Sequence, residues 1–260
     1  MRVQTDKIAE GETQVQTDVV LYESSDRIAT ITINRPEKMN ALNPAVAEAL
    51  ANAWRRFNDS DDRVAILTAA GEKAFSVGAD LNDAPEIWSF APGVGVPVDK
   101  PVIAAVNGWC VGGAVVLVQF CDLCVAGDGT RFSYPEAKIG FSGGLISSIA
   151  ARMPHKLAME FILVGEEMSA ERAYQAGFVN KVVPPDQVMA AARDYAEKLA
   201  ANAPLVTSML KRHVADVLPR GPSEVAGMAR RDIAMTFGSE DLKEGIAAFR
   251  EKRKPEFRGS

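Results

Sequence analysis

The chain has 260 residues, 47% of them hydrophobic and 24% charged, and a formal net charge of −5. That length and balance describe an ordinary globule able to bury one large core, and an acidic chain with scattered Lys and Arg excludes a nucleic-acid surface as its organising theme. No apolar run approaches the roughly 18 residues that a membrane span needs, so no membrane partner is expected.

In chain order, residues 1–17 read as a polar tail without the apolar segment of a secretory leader. Ile28 to Ile33 alternates with period two and reads as a strand, with Val19 to Tyr22 as its hairpin partner across a turn at Glu23 to Arg27. Asn43-Pro44 opens a helix with a cap residue followed by proline, and Val46, Leu50, Ala53, Trp54 and Phe57 follow helical spacing. Val64 to Thr68 and Val102 to Val106 are near-continuous apolar runs, the pattern of strands covered on both faces; Gly113 to Phe120 then reads as a buried helix and Leu123 to Ala126 as a further strand. From Leu145 onward, only Val179 to Val183 is extended. Leu145 to Met153, Leu157 to Val164, Ala170 to Ala176, Gln187 to Ala203, Val206 to Val217, Ser223 to Phe237 and Glu240 to Lys252 all carry helical patterns. The pattern predicts an α/β core over residues 18–200 with right-handed crossovers, and a helical region over 201–260 suited to subunit contacts.

Cys110, Cys121 and Cys124 cannot all pair within one chain, and each sits among apolar neighbours, so a reduced, cytoplasmic protein is expected. Cys121 and Cys124 have C-x-x-C spacing, but no second Cys/His pair accompanies them, and no metal site is expected.

Three features carry candidate chemistry. The stretches Ala74 to Leu81 and Val106 to Ala114 each hold glycines where backbone N–H groups can approach a ligand oxygen, the second at the start of a helix, which suggests an oxyanion hole. Glu136 follows Pro135 between an apolar strand and a glycine-rich loop, where loss of water would raise its pKa toward that of a general base. Gly140 to Gly144 matches G-x-S-x-G, with Ser142, Asp186 and His213 in the chain order of a hydrolase triad. Against the triad, Ala137-Lys138-Ile139 is a poor strand to lead into a nucleophile elbow, and His213 lies in a helical run.

Taken together, Asn34 to Leu42, Ala74 to Leu81, Pro101 to Gly108, Gly112-Gly113, Pro135-Glu136-Ala137 and Phe249 to Lys254 resemble the crotonase (enoyl-CoA hydratase/isomerase) superfamily over about Val19 to Arg258. The resemblance implies an α/β fold, a spiral of ββα units with a C-terminal helical trimerisation region, assembled as a homotrimer or a dimer of trimers. It implies an acyl-CoA substrate and no cofactor beyond that CoA moiety. The thioester oxygen would sit between the N–H groups of Ala79 and Gly113, with Glu136 as acid/base. Lys38, Met39, Val77, Asp80 and Leu81 would meet the CoA, joined by Phe249 and Lys252 of a neighbouring subunit, and Val116, Trp109 and Phe141 would line the acyl pocket.

Hydratases of the family carry a second glutamate one helical turn after the oxyanion glycine, where this chain has Val116. An aliphatic side chain cannot position water, so a 1,3 double-bond isomerisation run by Glu136 alone is the leading expectation. Hydration by the single glutamate is the alternative, followed by a serine hydrolase or a non-catalytic, RNA-associated relative; against the last, no helix carries a comb of lysines. Residues 82–99, with Pro85, Pro92 and Pro97, and the segment Phe141 to Gly144 are shorter than their counterparts in the family, so acyl-chain specificity does not transfer.

Overall fold

The computed structural model describes residues 18–260, and the stretch read as a polar tail, 1–17, lies outside the described residues. The chain opens on an antiparallel hairpin of β1 (Val20–Ser25) and β2 (Ile28–Ile33). Asp26 and Arg27, at φ 54° and 64°, make the whole turn. A two-residue turn with both positions left-handed matches the twist of its strands, so β1 runs on through Glu23 to Ser25, where a longer turn was expected.

Helix α1 (Pro44–Asp59) follows, its first turn capped by the Asn43 side chain, which accepts from Val46 N, and its buried face is Val46, Leu50, Trp54 and Phe57. Then come β3 (Val64–Ala69), β4 (Ala74–Ser76), β5 (Val102–Val106), β6 (Trp109–Val111), α2 (Gly113–Gln119), β7 (Leu123–Gly127) and β8 (Arg131–Ser133). One-turn α3 (Glu136–Ile139) leads to a 3-10 segment, Leu145–Ala151, and to α4 (His155–Met159), which continues as a π-turn over Glu160–Val164. Short β9 (Met168–Ser169), α5 (Ala170–Gln175) and β10 (Lys181–Val183) precede the helices α6 (Val188–Ala201), α7 (Pro204–Val217), α8 (Pro222–Phe237) and α9 (Glu240–Glu251).

The strands form two sheets, ordered β1-β2-β3-β5-β7-β10 and β4-β6-β8-β9. Three times in succession the chain lays one strand in the large sheet and the next in the small one: β3 then β4, β5 then β6, β7 then β8. Pairings within this repeat are parallel, so the path is a spiral. The period of two decides which core each residue joins. Ile31, Ile33, Leu67, Ala104 and Val106 face the main core with α1 and α2, whereas Ile28, Val64, Ile66, Ile103 and Ala105 face α6 through Val188, Ala192 and Ala196. The continuous apolar runs of the sequence are thus strands with helices on both faces.

The small sheet is what the sequence concealed. Its strands are three residues or fewer, too short for any period to register. At the other end, α7 buries no residue, and Leu205 and Val217 stand 85% and 79% exposed.

Candidate active site

The two glycine-bearing stretches meet at the junction of the small sheet and α2. After β4, Gly78 takes φ 85°, and a side chain there would come within 2.6 Å of Val111 O and 3.2 Å of Gly113 N, so the turn that carries Ala79 is pressed against the start of α2. Residues 77–80 are held by rungs to the segment before α1: Val77 N to Met39 O, Leu42 N to Gly78 O and Asp80 N to Leu42 O, at 3.2, 2.8 and 2.7 Å. The Ala79 N–H falls between these rungs and the Gly113 N–H opens α2; neither has a backbone or side-chain acceptor among the described residues. Both residues line one cavity, and two unengaged donors in one wall, one of them at a helix N-terminus, can receive a carbonyl oxygen and stabilise negative charge on it.

Asn40 fixes the supporting segment. It is 1% exposed at φ 56°; its Oδ1 accepts from Arg35 N, and its Nδ2 donates to Ala70 O and Ala74 O. Lys38, Met39, Val77, Asp80 and Leu81 therefore share one face of the molecule, where Arg35 Nη1 donates to Ala41 O at 2.6 Å and stands 4.0 Å from Asp80 Oδ2.

Glu136 is the first residue of α3, immediately after the Pro135 cap. Its carboxyl lies over Gly112, where an added Cβ would collide with Glu136 Oε1; Gly112 also holds φ 55°. The glycine pair thus divides the work: Gly113 offers its N–H, and Gly112 makes room for the acid. Glu136 Oε2 is buried without a hydrogen-bond partner among the described residues. Burial raises the Glu136 pKa to about 7, against a smaller lowering by a backbone hydrogen bond, so both protonation states are populated near neutrality.

Ala79, Gly113 and Glu136 line one cavity of about 440 Å³. Val116, Phe141, Tyr134 and Leu145 form part of its wall; the loop Ala84 to Trp88 and one face of α8 form the rest. Tyr134 is buried, its hydroxyl 3.0 Å from Ser142 Oγ, and burial pushes its pKa up to about 12. Glu86 is the other carboxylate of the wall, accepting from Trp88 Nε1 and Arg230 Nη1. The short 82–99 segment is anchored in the core by Phe90, Val94, Val96 and Val98, and the Trp54 indole donates to Phe90 O at 3.1 Å.

One expectation changes. Trp109 does not line the cavity: it sits in β6, paired to β4 and β8, whose pleat turns it away. An added Cβ at Gly113 would meet the tips of Ile87 and Leu42, at 2.8 and 3.5 Å, whereas at Gly112 it would meet Glu136 Oε1 and also have to hold φ 55°, so the demand for glycine is stricter at Gly112. Phe249 and Lys252, expected to act from a neighbouring subunit, lie at the end of α9, away from the residues that line this cavity in the same chain. Ser142 Oγ accepts from Gly144 N and pairs with Tyr134; no hydrogen bond joins Ser142, Asp186 and His213 among the described residues, and His213 is exposed on α7. Without that contact the serine has no base to activate it. All three cysteines are unpaired thiols, Cys110 and Cys124 buried and Cys121 half-buried, and loss of water pushes the pKa of each above its ordinary value.

Glu86, Ile87, Trp88, Tyr134, Ser223 and Arg230 escaped the sequence reading. Only the helical spacing of Ser223, Ala226, Gly227 and Arg230 hinted at one shared face of α8, and which face meets the core is a tertiary fact.

Comparison with known proteins agrees with this architecture. The model of the enoyl-CoA hydratase/isomerase family matches residues 23–89 and 96–260. Among curated relatives, the (E)-benzylidenesuccinyl-CoA hydratase of Thauera aromatica is 37% identical over 93% of this chain and 99% of its own length. Among solved structures, a probable enoyl-CoA hydratase/isomerase from Mycobacterium abscessus superposes with a TM-score of 0.72 at 38% identity, covering 94% of this chain and 100% of that one. Carnitinyl-CoA hydratase from Mycobacterium avium superposes at 0.74 with 36% identity over 94% and 100% of the two chains. With a family model spanning nearly every described residue and relatives aligned along almost their whole length, the chain is an enzyme of the enoyl-CoA hydratase/isomerase (crotonase) superfamily.

Proposed function

We propose that the chain adds water across the double bond of a 2-enoyl-CoA thioester and runs the reverse dehydration, with Glu136 as its acid and base. One observation carries this reading: a desolvated carboxyl with an unpartnered oxygen lies over Gly112, beside the two unengaged amides of Ala79 and Gly113. Relatives named as hydratases favour hydration over the isomerisation expected from Val116.

In the hydration direction the thioester oxygen accepts from the Ala79 and Gly113 N–H groups, which draws electron density from C3. The Glu136 carboxylate takes a proton from water as that water's oxygen bonds to C3, and the C2–C3 double bond shifts to give an enolate. The Glu136 acid then delivers the proton to C2, the thioester carbonyl reforms, and the carboxylate is restored. A pKa of about 7 suits a group that must both take and return one proton near neutral pH. Each oxyanion donor contributes roughly 2.7–4 kcal/mol to the transition state.

Val116 favours isomerisation as a second reading, since a proton shuttled between C2 and C4 needs one acid and no bound water. Incubation with 2-enoyl-CoA and, separately, 3-enoyl-CoA, followed by mass spectrometry, decides between them. A gain of one water from the 2-enoyl ester supports hydration; unchanged mass with a moved double bond, and no hydration, overturns it.

The same reading includes assembly. The apolar residues exposed along α7 and α8, among them Leu205, Leu210, Val217 and Ile233, support a homotrimer or a dimer of trimers in which Phe249 and Lys252 reach a neighbour's CoA site. Analytical ultracentrifugation tests it, and a monomer at micromolar concentration would overturn it.

A further inference from the structure

Helix α8 presents Ser223, Ala226, Gly227 and Arg230 to the cavity, positions spaced three, four and seven residues from the first and so aligned on one face. Three of the four are small and leave space. Gly227 is seated against the 88–94 loop, where an added Cβ would lie 2.8 Å from Val94 Cγ1 and 3.1 Å from Trp88 Cβ. The fourth is a long cation. Arg230 Nη1 donates to Glu86 Oε2 at 3.2 Å, and the guanidinium stands 5.7 Å from the centroid of the Trp88 ring. Its neighbour Arg231 is engaged elsewhere, with Asp232 and Val94 O, which leaves Arg230 as the cation of the cavity wall.

Two facts make Arg230 more than a clasp between the loop and the helix. Its bond to Glu86 is the only hydrogen bond it makes among the described residues, so most of its five donors are free. The two side chains are 61% and 66% exposed, and a pair so well solvated contributes little by itself. A carboxylate arriving on an apolar acyl group would displace water from Trp88, Ile87 and Phe141 and meet the open edge of a planar fork that matches it in two bonds.

We propose that the α8 end of the cavity is a carboxylate subsite, in which Arg230 binds an anionic group carried by the acyl portion of the substrate. Resting on the acyl-CoA reading of the cavity, this names the substrate class: thioesters of dicarboxylic or carboxyl-substituted acids, with Tyr134, Phe141 and Trp88 enclosing the carbon skeleton. Ser223 supplies a hydroxyl on the same face.

Saturated thioesters, which cannot be hydrated, separate this proposal from the reaction itself. Isothermal titration would compare succinyl-, glutaryl- and adipoyl-CoA with butyryl-, pentanoyl- and hexanoyl-CoA. At least one carboxyacyl ester is expected to bind about tenfold or more tightly than its methyl-ended counterpart, as a charge-assisted two-bond contact provides. Arg230→Gln should abolish that preference while leaving the methyl-ended esters within about threefold, Arg230→Lys should keep part of it, and added salt should shrink it. Glu86→Gln, which frees the guanidinium, should sharpen the preference; a purely structural clasp would instead weaken both series together. Equal binding of the two series by the unaltered protein, or a preference that survives Arg230→Gln, overturns the subsite alone. Failure of every thioester to bind overturns the acyl-CoA reading and the subsite with it.

Discussion

The carboxyl of Glu136 occupies the volume that a side chain on Gly112 would fill. Placing the acid directly against the backbone that precedes Gly113 lets a strand end, a helix start and a one-turn helix be packed as a single unit around one small space. The consequences can be measured.

Glu136→Gln preserves shape and hydrogen-bonding capacity but cannot move a proton. We expect kcat to fall by about 10²–10⁴-fold, the usual contribution of a positioned acid/base, with CoA-ester affinity changed by no more than about threefold. Steady-state kinetics and titration with a saturated ester check both; retention of full kcat would remove Glu136 from the mechanism.

The raised pKa of Glu136 sets a pH signature. The proposed hydration starts from the carboxylate, so kcat/KM should rise with pH through about 7 with unit slope, then level. Stability runs the opposite way. A carboxyl whose folded pKa lies above its unfolded value contributes fully below about pH 4.5 and loses that contribution as pH climbs through about 7. Glu136→Gln should therefore stabilise the protein by roughly 1–2 kcal/mol at pH 8, after discount for partial exposure, and by nothing at pH 4.5. Thermal melts across that range check the sign.

Gly112→Ala puts a methyl group into the carboxyl of Glu136 and forces a left-handed conformation on alanine. Strain of this kind costs about 1–3 kcal/mol, and the displaced acid should lower kcat by at least about tenfold. Gly113→Ala, which meets only the movable tips of Ile87 and Leu42, should fold with the smaller penalty of the two. Comparing the Tm values of the pair is the direct measurement.

Trp54→Phe removes the donor to Phe90 O and leaves a buried carbonyl unpaired, a loss of about 1–3 kcal/mol. Because Phe90 anchors the loop that carries Glu86, Ile87 and Trp88, KM should rise more than kcat falls. Equal changes in both would show that the loop does not shape the acyl wall.

Long periodic elements were readable from the residues because burial imposes a period. The cap at Asn43 and the face of α1 from Val46 to Phe57 coincide with the structure, β2 carries its period of two, and β3 and β5 carry the apolar runs of strands covered on both faces. The strands β4, β6 and β8 were not legible, since three residues carry no period, and their residues meet only because the spiral returns to the same place. Glu136 stood out by its local setting of proline, strand and glycine loop. Trp109 was misplaced for want of a pleat direction, and Arg230 was missed because nothing local marks which face of α8 turns inward.

The donors of Ala79 and Gly113 are main-chain atoms, placed by turns in the first half of the chain, whereas α8, which closes the far wall of the cavity, is encoded about a hundred residues later. No side-chain replacement can delete an amide hydrogen, short of proline, but a handful of changes on one late helix can redraw what the cavity admits. On the proposed mechanism and subsite, reactivity and selectivity are therefore inherited on separate stretches of polypeptide, and exchanging α8 between relatives should retarget the catalyst without rebuilding its chemistry.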